Sequence, residues 1–385
     1  HWPGYKAGAL NFALEHTDPR AEWVAVVDAD YLVKPEWLRA LAGYFADMAV
    51  GVVQSPQAHR DWSDTRLRRM MNWEYDGFFR IGMHHRQERD AAIQHGTMTL
   101  IRAAALRDVG GWDVDCVCED TELGLRLMQA GFRLIYVDQV LGTGLVPTDF
   151  AAYQRQRRRW AQGAMQILRR HWAILFGESR LQPAQRYHFI AGWLPWLGDT
   201  LHLFFSVAAI SWTLGVLAAP QIFGLPIALF VVPLAVFFVT RLVLVPLLYS
   251  RRVPCPAADV AGAALAGMGL SHSIARGVIA GLSGRRAVFD VTRKGKTSDN
   301  PEAPPLQQPG AFASVREESV LLLGLLLCIA ALGFAPGDPS AALKGWILAL
   351  SLQALPYAAA IGCAWLSFRA SQSPATKLEP PLAGR

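Results

Sequence analysis

The first half of the chain alternates short apolar runs with amphipathic segments. The runs "WVAVVDAD" (23–30), "AVGVVQSP" (49–56) and "FRLIYVDQ" (132–139) are continuous and apolar, which is typical of strands buried on both faces of a parallel sheet. Between them, the segment 120–131 places Leu123 and Leu127 four residues apart and reaches Gly131, which predicts a surface helix that stops there. Strands that alternate with helices indicate an α/β fold for this half.

The second half of the chain is dominated by long apolar runs. Charged residues become rare from about residue 187, and the run at 223–249 is long enough to cross a hydrocarbon core of ~30 Å. Four such runs predict four transmembrane spans in two hairpins, near 196–219, 223–249, 317–335 and 341–368. The links within the hairpins contain no Lys or Arg, whereas Arg251 and Arg252 follow the second run. The positive-inside rule therefore places the N-terminal part of the chain in the cytosol.

Two further segments are predicted to lie along the membrane surface. In 149–186, the apolar side chains fall near one stripe of a helix, namely Trp160, Met165, Leu168, Trp172 and Leu175. The segment 257–283 is rich in Gly and Ala and has basic residues at both ends, so it more plausibly lies in the interface or re-enters than spans.

The sequence therefore predicts six regions. They are a cytosolic α/β domain (1–148), interfacial helices (149–186), a transmembrane hairpin (187–250), an interfacial or re-entrant helix with a loop (251–316), a second transmembrane hairpin (317–369) and a disordered tail (370–385). Because no strand precedes the first helix of the α/β domain, we also expect at least one strand of this domain to lie upstream of His1.

Composition and charge narrow the classes of function. The net charge is +6, and basic residues cluster beside the apolar runs, a pattern that suits membrane topology better than nucleic-acid binding. The five cysteines form no paired framework and no zinc-ligand spacing, so reduced thiols are expected. An integral membrane protein with no nucleic-acid partner is predicted, and a soluble binding module is excluded.

Two pairs of acidic residues are candidates for chemistry. Asp28 and Asp30 follow the first apolar run, at the edge of an open sheet where ligands bind, and two carboxylates one residue apart can hold a hard divalent cation. Glu119 and Asp120 open the predicted helix. An acidic residue at this position either caps the helix or acts as a general base that takes a proton from an attacking hydroxyl.

The stretch "QRQRRRW" (154–160) is open to three interpretations. Arginines beside a span usually set topology, and Trp usually anchors a helix in the membrane interface. Alternatively, the guanidinium of Arg159 can neutralise a departing phosphate, and the ring of Trp160 can stack on the apolar face of a sugar.

The order of these short motifs resembles that of the processive family 2 glycosyltransferases, the group of cellulose, chitin and hyaluronan synthases. K-A-G-A-L-N, D-A-D, Q-S-P, H-G-T, E-D and Q-x-x-R-W follow one another along the first 160 residues, although the family's T-E-D reads C-E-D here. Further on, "FDVTRK" (289–294) is similar to the F-x-V-T-x-K gating loop of bacterial cellulose synthase. The resemblance implies an α/β catalytic domain of the GT-A (Rossmann-like) class followed by an α-helical transmembrane domain.

The resemblance also implies roles for individual residues. Asp120 is the implied base, supported by Glu119, and the implied metal ligands are Asp28 and Asp30, which bind the sugar diphosphate through Mg²⁺ or Mn²⁺. The other implied contacts are Lys6 and Asn11 with the nucleotide, Gly96 and Thr97 with the acceptor end, Gln156, Arg159 and Trp160 with the pyrophosphate and polymer tip, and Phe289, Val291, Thr292 and Lys294 with the enclosed nucleotide. The remaining arginines of the stretch, Arg155, Arg157 and Arg158, are expected to form a basic collar at the membrane.

The implied reaction is inverting transfer from a nucleotide-sugar donor to a growing polysaccharide acceptor. With UDP-glucose as the first expected donor, the product is a β-glucan that leaves through the spans of a bacterial inner membrane. "QHGTMTLIR" and "GAMQILRRH" look closest to bacterial β-1,3-glucan synthases. Three alternatives stay open: a non-processive transferase that loads a lipid carrier, a chitin- or hyaluronan-type synthase that uses UDP-N-acetylglucosamine, and a channel or scaffold with an inactive transferase domain.

Overall fold

The computed structural model describes residues 2–284, 294, 312–334 and 340–372, and for 227–229 and 231 the backbone only. The strands in these ranges are short. They are β1 (Trp23–Val26), β2 (Leu32–Val33), β3 (Val50–Gln54), β4 (Ala58–His59), β5 (Thr99–Arg102), β6 (Arg133–Tyr136) and β7 (Gly142–Gly144).

Helices make up most of the remaining described chain. In the first half they are α1 (Tyr5–Glu15), α2 (Trp37–Ala42), α3 (Arg66–Gly77), α4 (His84–Gln87), α5 (Ala103–Asp108) and α6 (Glu119–Gln129). In the second half they are α7 (Phe150–Arg170), α8 (Trp172–Phe176), α9 (Pro183–Ala218), α10 (Ile227–Val239), α11 (Val245–Arg252), α12 (Ala257–Gly269), α13 (Ser271–Leu282), α14 (Arg316–Gly333) and α15 (Ala341–Gln372). π-Helical turns at Phe78–Met83 and Thr240–Leu244 join α3 to α4 and α10 to α11.

The larger sheet is mixed and has the strand order β1-β5-β3-β6. β3 lies inside it, fully buried, parallel to β6 and antiparallel to β5. The predicted strands at 49–56 and 132–139 are thus confirmed. So is the helix predicted at 120–131, because α6 ends at Gln129 and Gly131 adopts a positive φ of 97°. A second sheet, β2-β7-β4, sets the loops that follow β1 and β6 side by side.

The first apolar run corrects one prediction. β1 ends at Val26 and lies at one end of the described sheet, where it pairs only with β5 and in the antiparallel sense. Its side chains are largely open to solvent, with Trp23 39% exposed, so it is not a strand buried on both faces of a parallel sheet. A continuous apolar run predicts a strand but carries no information about how many neighbours the strand has.

Three helical segments of the described chain are long and apolar enough to cross a membrane. They are Pro183–Ala218, Val232–Arg252 and Ala341–Gln372. The fourth predicted span, 317–335, is the helix α14, but its first turn contains Arg316, Glu317 and Glu318. The uncharged remainder of α14, 319–333, reaches about 22 Å at 1.5 Å per residue, which is short of a ~30 Å hydrocarbon core. α15 continues through Gln372 and so includes the start of the predicted tail.

The helix α7 is enclosed by protein on several sides. The buried residues of α7 occur around most of its circumference, and it packs against α13, with α8, α9 and α15 as further neighbours. The single stripe predicted to run from Trp160 to Leu175 is interrupted, because α7 stops at Arg170 and α8 begins at Trp172. The segment 257–283 forms two helices, α12 and α13, and contact of these segments with lipid stays a prediction.

Candidate active site

Four of the sequence motifs converge on the side chain of Lys6. Its Nζ atom lies 2.7 Å from Oδ1 of Asp28 and 4.0 Å from Oε1 of Glu119. It also donates a hydrogen bond to the backbone carbonyl of Gly96, at 3.0 Å. Helix α1, the loop after β1, the segment before β5 and the start of α6 therefore meet at one ammonium group, although they are far apart in sequence.

The segment of Gly96 and Thr97 fits closely between the acidic motifs. The Thr97 hydroxyl accepts a hydrogen bond from the backbone N–H of Asp28, at 2.8 Å. Gly96 has a positive φ of 28°, and a Cβ atom placed there would lie 2.6 Å from Oδ2 of Asp120. The absence of a side chain at Gly96 is thus what allows the Asp120 carboxylate to approach the backbone.

Glu119 and Asp120, the acid pair, occupy the first two positions of α6. Cys118 is the N-cap residue and makes no side-chain capping bond, while Oδ1 of Asp120 accepts from the backbone N–H of Thr121, at 2.7 Å. Burial raises the pKa of the Asp120 carboxyl, and the charges of Lys6 and Arg159 oppose this rise. Burial and the neighbouring Asp120 likewise raise the pKa of Glu119. Charge on this pair is therefore costly, so one of the two carboxyls holds its proton to a higher pH than an exposed one.

Asp28 and Asp30 each face a lysine. Besides the pair between Asp28 and Lys6, Nζ of Lys294 lies 3.1 Å from Oδ2 of Asp30. The same Oδ2 atom accepts a hydrogen bond from the backbone N–H of Leu145, at 2.9 Å. Within the described residues, no group of three or more His, Cys, Asp and Glu side chains could hold a metal ion. Two carboxylates fit the protein's share of a Mg²⁺ or Mn²⁺ site in which phosphate and water oxygens supply the remaining ligands.

Lys294 is the one described residue of the segment resembling a gating loop. Its backbone pairs with Pro147, and its ammonium lies 5.9 Å from the ring centroid of Tyr31. Phe289, Val291 and Thr292 lie outside the described residues. Lys294 therefore reaches the D-A-D motif from a position more than 260 residues further along the chain.

The Q-x-x-R-W motif lies on α7 beside an aromatic group from α3. The ring of Trp160 stacks on that of Tyr75, with centroids 5.8 Å apart and an interplanar angle of 28°. Gln156 lines a cavity of about 20 Å³ together with Lys294, Tyr75 and Tyr31. Burial lowers the pKa of His59, which also lines this cavity, to about 4, so its imidazole is neutral at physiological pH.

Arg157 corrects one sequence-based expectation. It is not part of an exposed basic collar, because it is 9% exposed and its guanidinium lies 4.6 Å from the Trp160 ring centroid. It pairs with Glu74, which also accepts a hydrogen bond from the Tyr153 hydroxyl. Glu74, Tyr75 and Arg157 are thus site residues that the motifs missed. The only sequence signal was the aromatic and acidic character of "NWEYDGFF" (72–79), which does not reveal that α3 packs near α7.

Cys118 connects the acid pair to the Q-x-x-R-W helix. Its Sγ atom lies 4.0 Å from the carbonyl oxygen of Arg159 and 3.8 Å from that of Trp160. A Cβ atom on Gly163 would come within 2.4 Å of the same sulfur. The residue that departs from the family's T-E-D pattern is therefore the one that packs directly on α7.

Asn11 lies on α1, one helical turn beyond the residues around Lys6. Its side-chain amide donates to the carbonyl of Trp112 at 2.8 Å and accepts from the Trp112 N–H at 2.8 Å. Both amide groups therefore hold the turn before the acid pair. Contact between Asn11 and a nucleotide stays a prediction.

Comparison with known proteins gives a family and several distant relatives. The sequence profile described as "Glycosyl transferase family group 2" matches residues 23–250. A protein of Oryza sativa subsp. japonica named "Probable glucomannan 4-beta-mannosyltransferase 2" is 26% identical over 196 residues, which cover 49% of this chain and 33% of that protein. A UDP-forming catalytic protein of cellulose synthase from Dictyostelium discoideum is 32% identical over 173 residues, 43% of this chain and 16% of that protein.

The chain thus matches a third or less of the length of these two relatives. A solved structure described as the mannosyltransferase PcManGT from Pyrobaculum calidifontis in complex with GDP-Man and Mn²⁺ matches 73% of this chain and 67% of that chain, with a TM-score of 0.41 and 23% identity. The family match, together with the mixed sheets and the apolar helices that follow them, confirms the predicted fold class of a GT-A domain followed by candidate membrane helices.

Proposed function

Because the chain belongs to glycosyl transferase family group 2, we propose that it transfers a sugar from a nucleotide-sugar donor to a saccharide hydroxyl, with inversion at the anomeric carbon. The observation that carries this proposal is the convergence on Lys6 of Asp28, Gly96 and Glu119. An ammonium group held among carboxylates beside an open glycine is suited to a diphosphate that arrives next to a general base.

Asp120 is the base in this proposal. It takes the proton of the acceptor hydroxyl as that oxygen forms its bond to the anomeric carbon, while the bond to the diphosphate oxygen breaks. The carboxyl with its raised pKa is a strong enough base for this step near neutral pH. Glu119 shares the buried charge and keeps the positive charge of Lys6 close.

The leaving diphosphate gains negative charge as the bond breaks. Lys6 and Lys294 supply positive charge on the two sides of the D-A-D motif, and Arg159 is close enough to the acid pair to affect its pKa. Asp28 and Asp30 would hold Mg²⁺ or Mn²⁺, which offsets charge on the diphosphate when bound. Fixed positive groups aimed at the developing charge are the usual main source of rate enhancement in such sites.

The acceptor end is assigned to the aromatic side of α7. Trp160 and Tyr75 stack in parallel, and a sugar ring can pack on such a surface. We assign processive synthesis to this arrangement, with a β-glucan made from UDP-glucose as the first product. A β-mannan made from a nucleotide-activated mannose is the second candidate, because several distant relatives are named glucomannan 4-β-mannosyltransferases.

The membrane assignment follows the charge pattern. Arg251 and Arg252 end the second candidate span, which places this end and the α/β domain on the cytosolic side. In this proposal the protein is a multi-pass component of a bacterial inner membrane, and the polymer leaves between its apolar helices.

The test is sugar incorporation in membrane vesicles that contain the full chain of the native gene. Labelled UDP-glucose and GDP-mannose are supplied separately with Mg²⁺ or Mn²⁺, and polymeric product is counted. We expect incorporation from one donor and a loss of about 10²- to 10⁴-fold in Asp120→Asn. Asp18→Asn, which changes an exposed carboxylate on the loop after α1, is the matched control and should retain the parent rate.

Each other outcome has a definite meaning. A product that β-1,3-glucanase leaves intact but cellulase cuts would keep the transferase and replace the linkage. Incorporation that survives Asp120→Asn would remove Asp120 as the base. A product of one sugar on a lipid would replace processive synthesis with loading of a lipid carrier.

A further inference from the structure

A second cavity lies on the other side of α7, between α13 and the start of α14. It measures about 320 Å³. Its polar lining comes from α7 (Gln154, Arg155, Arg158), from α13 (His272, Ser273, Arg276) and from the segment that opens α14 (Ser314, Arg316, Glu317, Glu318). We call it the basic cavity.

The basic cavity is separate from the active site. At 100° per residue, Arg155 and Arg158 lie on one face of α7, while Tyr153, Arg157 and Trp160 lie on nearly the opposite face. The stretch "QRQRRRW" therefore serves two surfaces, and the arginines that the catalytic proposal leaves unused line this second one.

The charge of the lining favours an anion. Four arginines face two glutamates, and both glutamates are already engaged within the protein. Glu318 accepts a hydrogen bond from Gln154 at 2.9 Å. Glu317 pairs with His272 at 2.8 Å and with Arg276. Guanidinium groups present paired N–H donors that match phosphate oxygens, so a phosphate group suits this lining better than a neutral ligand does.

A buried histidine supplies an independent observation. His272 lines the cavity and is only 8% exposed. Its Nε2 atom faces Glu317, whereas its Nδ1 atom is buried and has no hydrogen-bond partner among the described residues. Buried polar atoms are nearly always satisfied in native proteins, so an unsatisfied ring nitrogen at the wall of a basic cavity points to a ligand.

The position of the cavity relates it to the membrane surface. The uncharged part of α14 begins directly after Glu318, and the first residue of α7 donates its backbone N–H to the Ser367 hydroxyl near the end of α15. α15 is a candidate membrane span whose last turn contains Arg369. The basic cavity thus lies where apolar helices meet the polar domain, at the height of lipid headgroups.

We propose that the basic cavity binds the phosphate headgroup of an anionic membrane lipid. The phosphate sits among the arginines of α7, α13 and α14, and the acyl chains follow the apolar surface of α14. This site does not depend on the proposed reaction, because none of its residues belongs to the active site described above.

The test is native mass spectrometry of the full chain purified in detergent. Phosphatidylglycerol, phosphatidylcholine, glycerol 3-phosphate and inorganic phosphate are titrated separately. We expect phosphatidylglycerol to bind most tightly, and the double variant Arg155→Gln/Arg158→Gln to weaken it about tenfold. Gln has a helix propensity close to that of Arg, so α7 should remain intact.

Two further variants separate this site from general attraction of lipid to positive charge. Arg251→Gln/Arg252→Gln makes the same charge change at two exposed residues that end a candidate span, and it should leave phosphatidylglycerol binding unchanged. Arg155→Lys/Arg158→Lys keeps the charge and should retain most of the binding. An equal loss in the Arg251/Arg252 variant, or equal binding of phosphatidylcholine, would overturn the proposal. Binding of glycerol 3-phosphate or inorganic phosphate as tight as that of phosphatidylglycerol would overturn the lipid assignment in favour of a soluble phosphate.

Discussion

Replacing Gly96 with alanine adds a single methyl carbon at the point where the site motifs meet. That carbon would lie 2.6 Å from Oδ2 of Asp120 and 3.3 Å from Nζ of Lys6. Ordinary contacts at a Cβ begin at 3.4 Å, so the Asp120 carboxylate must move by about 0.8 Å or the backbone must yield. The positive φ of 28° adds strain that glycine does not have, on the order of 1–2 kcal/mol.

The expected effect on the reaction is larger than the effect on stability. A misplacement of about 1 Å can cost roughly 100-fold in rate, because the base must meet the acceptor proton at hydrogen-bond distance. We therefore expect kcat of Gly96→Ala to fall by about 30- to 100-fold, with a loss of only 1–2 kcal/mol in unfolding free energy from the strained φ. Initial rates of sugar incorporation in vesicles, together with thermal unfolding in detergent, measure both quantities.

Gly43→Ala is the matched control. Gly43 has a helical φ of −60°, and an added Cβ would meet nothing within 4 Å. Its rate and melting temperature should remain those of the parent. If Gly96→Ala folds and keeps its rate within twofold, the Asp120 carboxylate either has room that the geometry denies or does not take part in the rate-limiting step.

Three further predictions follow from the charges of the site. Because the charge of Lys6 lowers the pKa of both carboxyls of the acid pair, Lys6→Met should raise those pKa values and move the ascending limb of the pH–rate profile to higher pH, whereas Lys6→Arg should leave the limb near its original place; an unchanged limb in Lys6→Met would mean that the acid pair does not set it. Glu74→Ala leaves the buried guanidinium of Arg157 without its carboxylate and should cost about 3–5 kcal/mol of unfolding free energy, measured by thermal unfolding, while Asp18→Asn, in an exposed pair, should show no measurable change. Lys294→Gln removes a cation that pairs with Asp30, so Mn²⁺ measured by electron paramagnetic resonance without donor should bind about two- to fivefold more tightly, and weaker binding would show that Lys294 does not compete with the metal.

The order of the motifs predicted which residues approach one another better than it predicted how. Asp28, Gly96 and the acid pair were all expected at one site, and the structure brings them together around Lys6. Their joint contact with one ammonium could not be predicted, because it depends on the docking of α1 against loops more than 20 residues away. Local pattern specifies element type, whereas such contacts are set by tertiary packing.

The expectations that failed share a physical cause. The strand at 23–30 and the span at 317–335 were inferred from apolar runs alone, yet β1 lies at a sheet end and α14 opens with three charged residues. Arg157 was grouped with its neighbours in a basic stretch, but its partner, Glu74, is 83 residues away. Hydrophobicity and charge predict a preference for an environment, and long-range partners decide which environment a residue has.

The two halves of the site are held together by contacts on small residues. On one side of α7, Gly163 accommodates the sulfur of Cys118, the residue before the acid pair. On another side, Gly277 and Gly281 of α13 lie so close to α7 that added Cβ atoms would come within 2.4 Å of the Arg158 carbonyl oxygen and 2.5 Å of that of Gln162. Glycines four residues apart allow such close approach of two helices. Because α7 is fixed to the acid pair through Cys118 and to α13 through these glycines, a shift of α13 at the membrane surface must also move Trp160 relative to Asp120. The basic cavity lies along this same contact, between α7 and α13, so any ligand in it bears on the distance between the acceptor surface and the base.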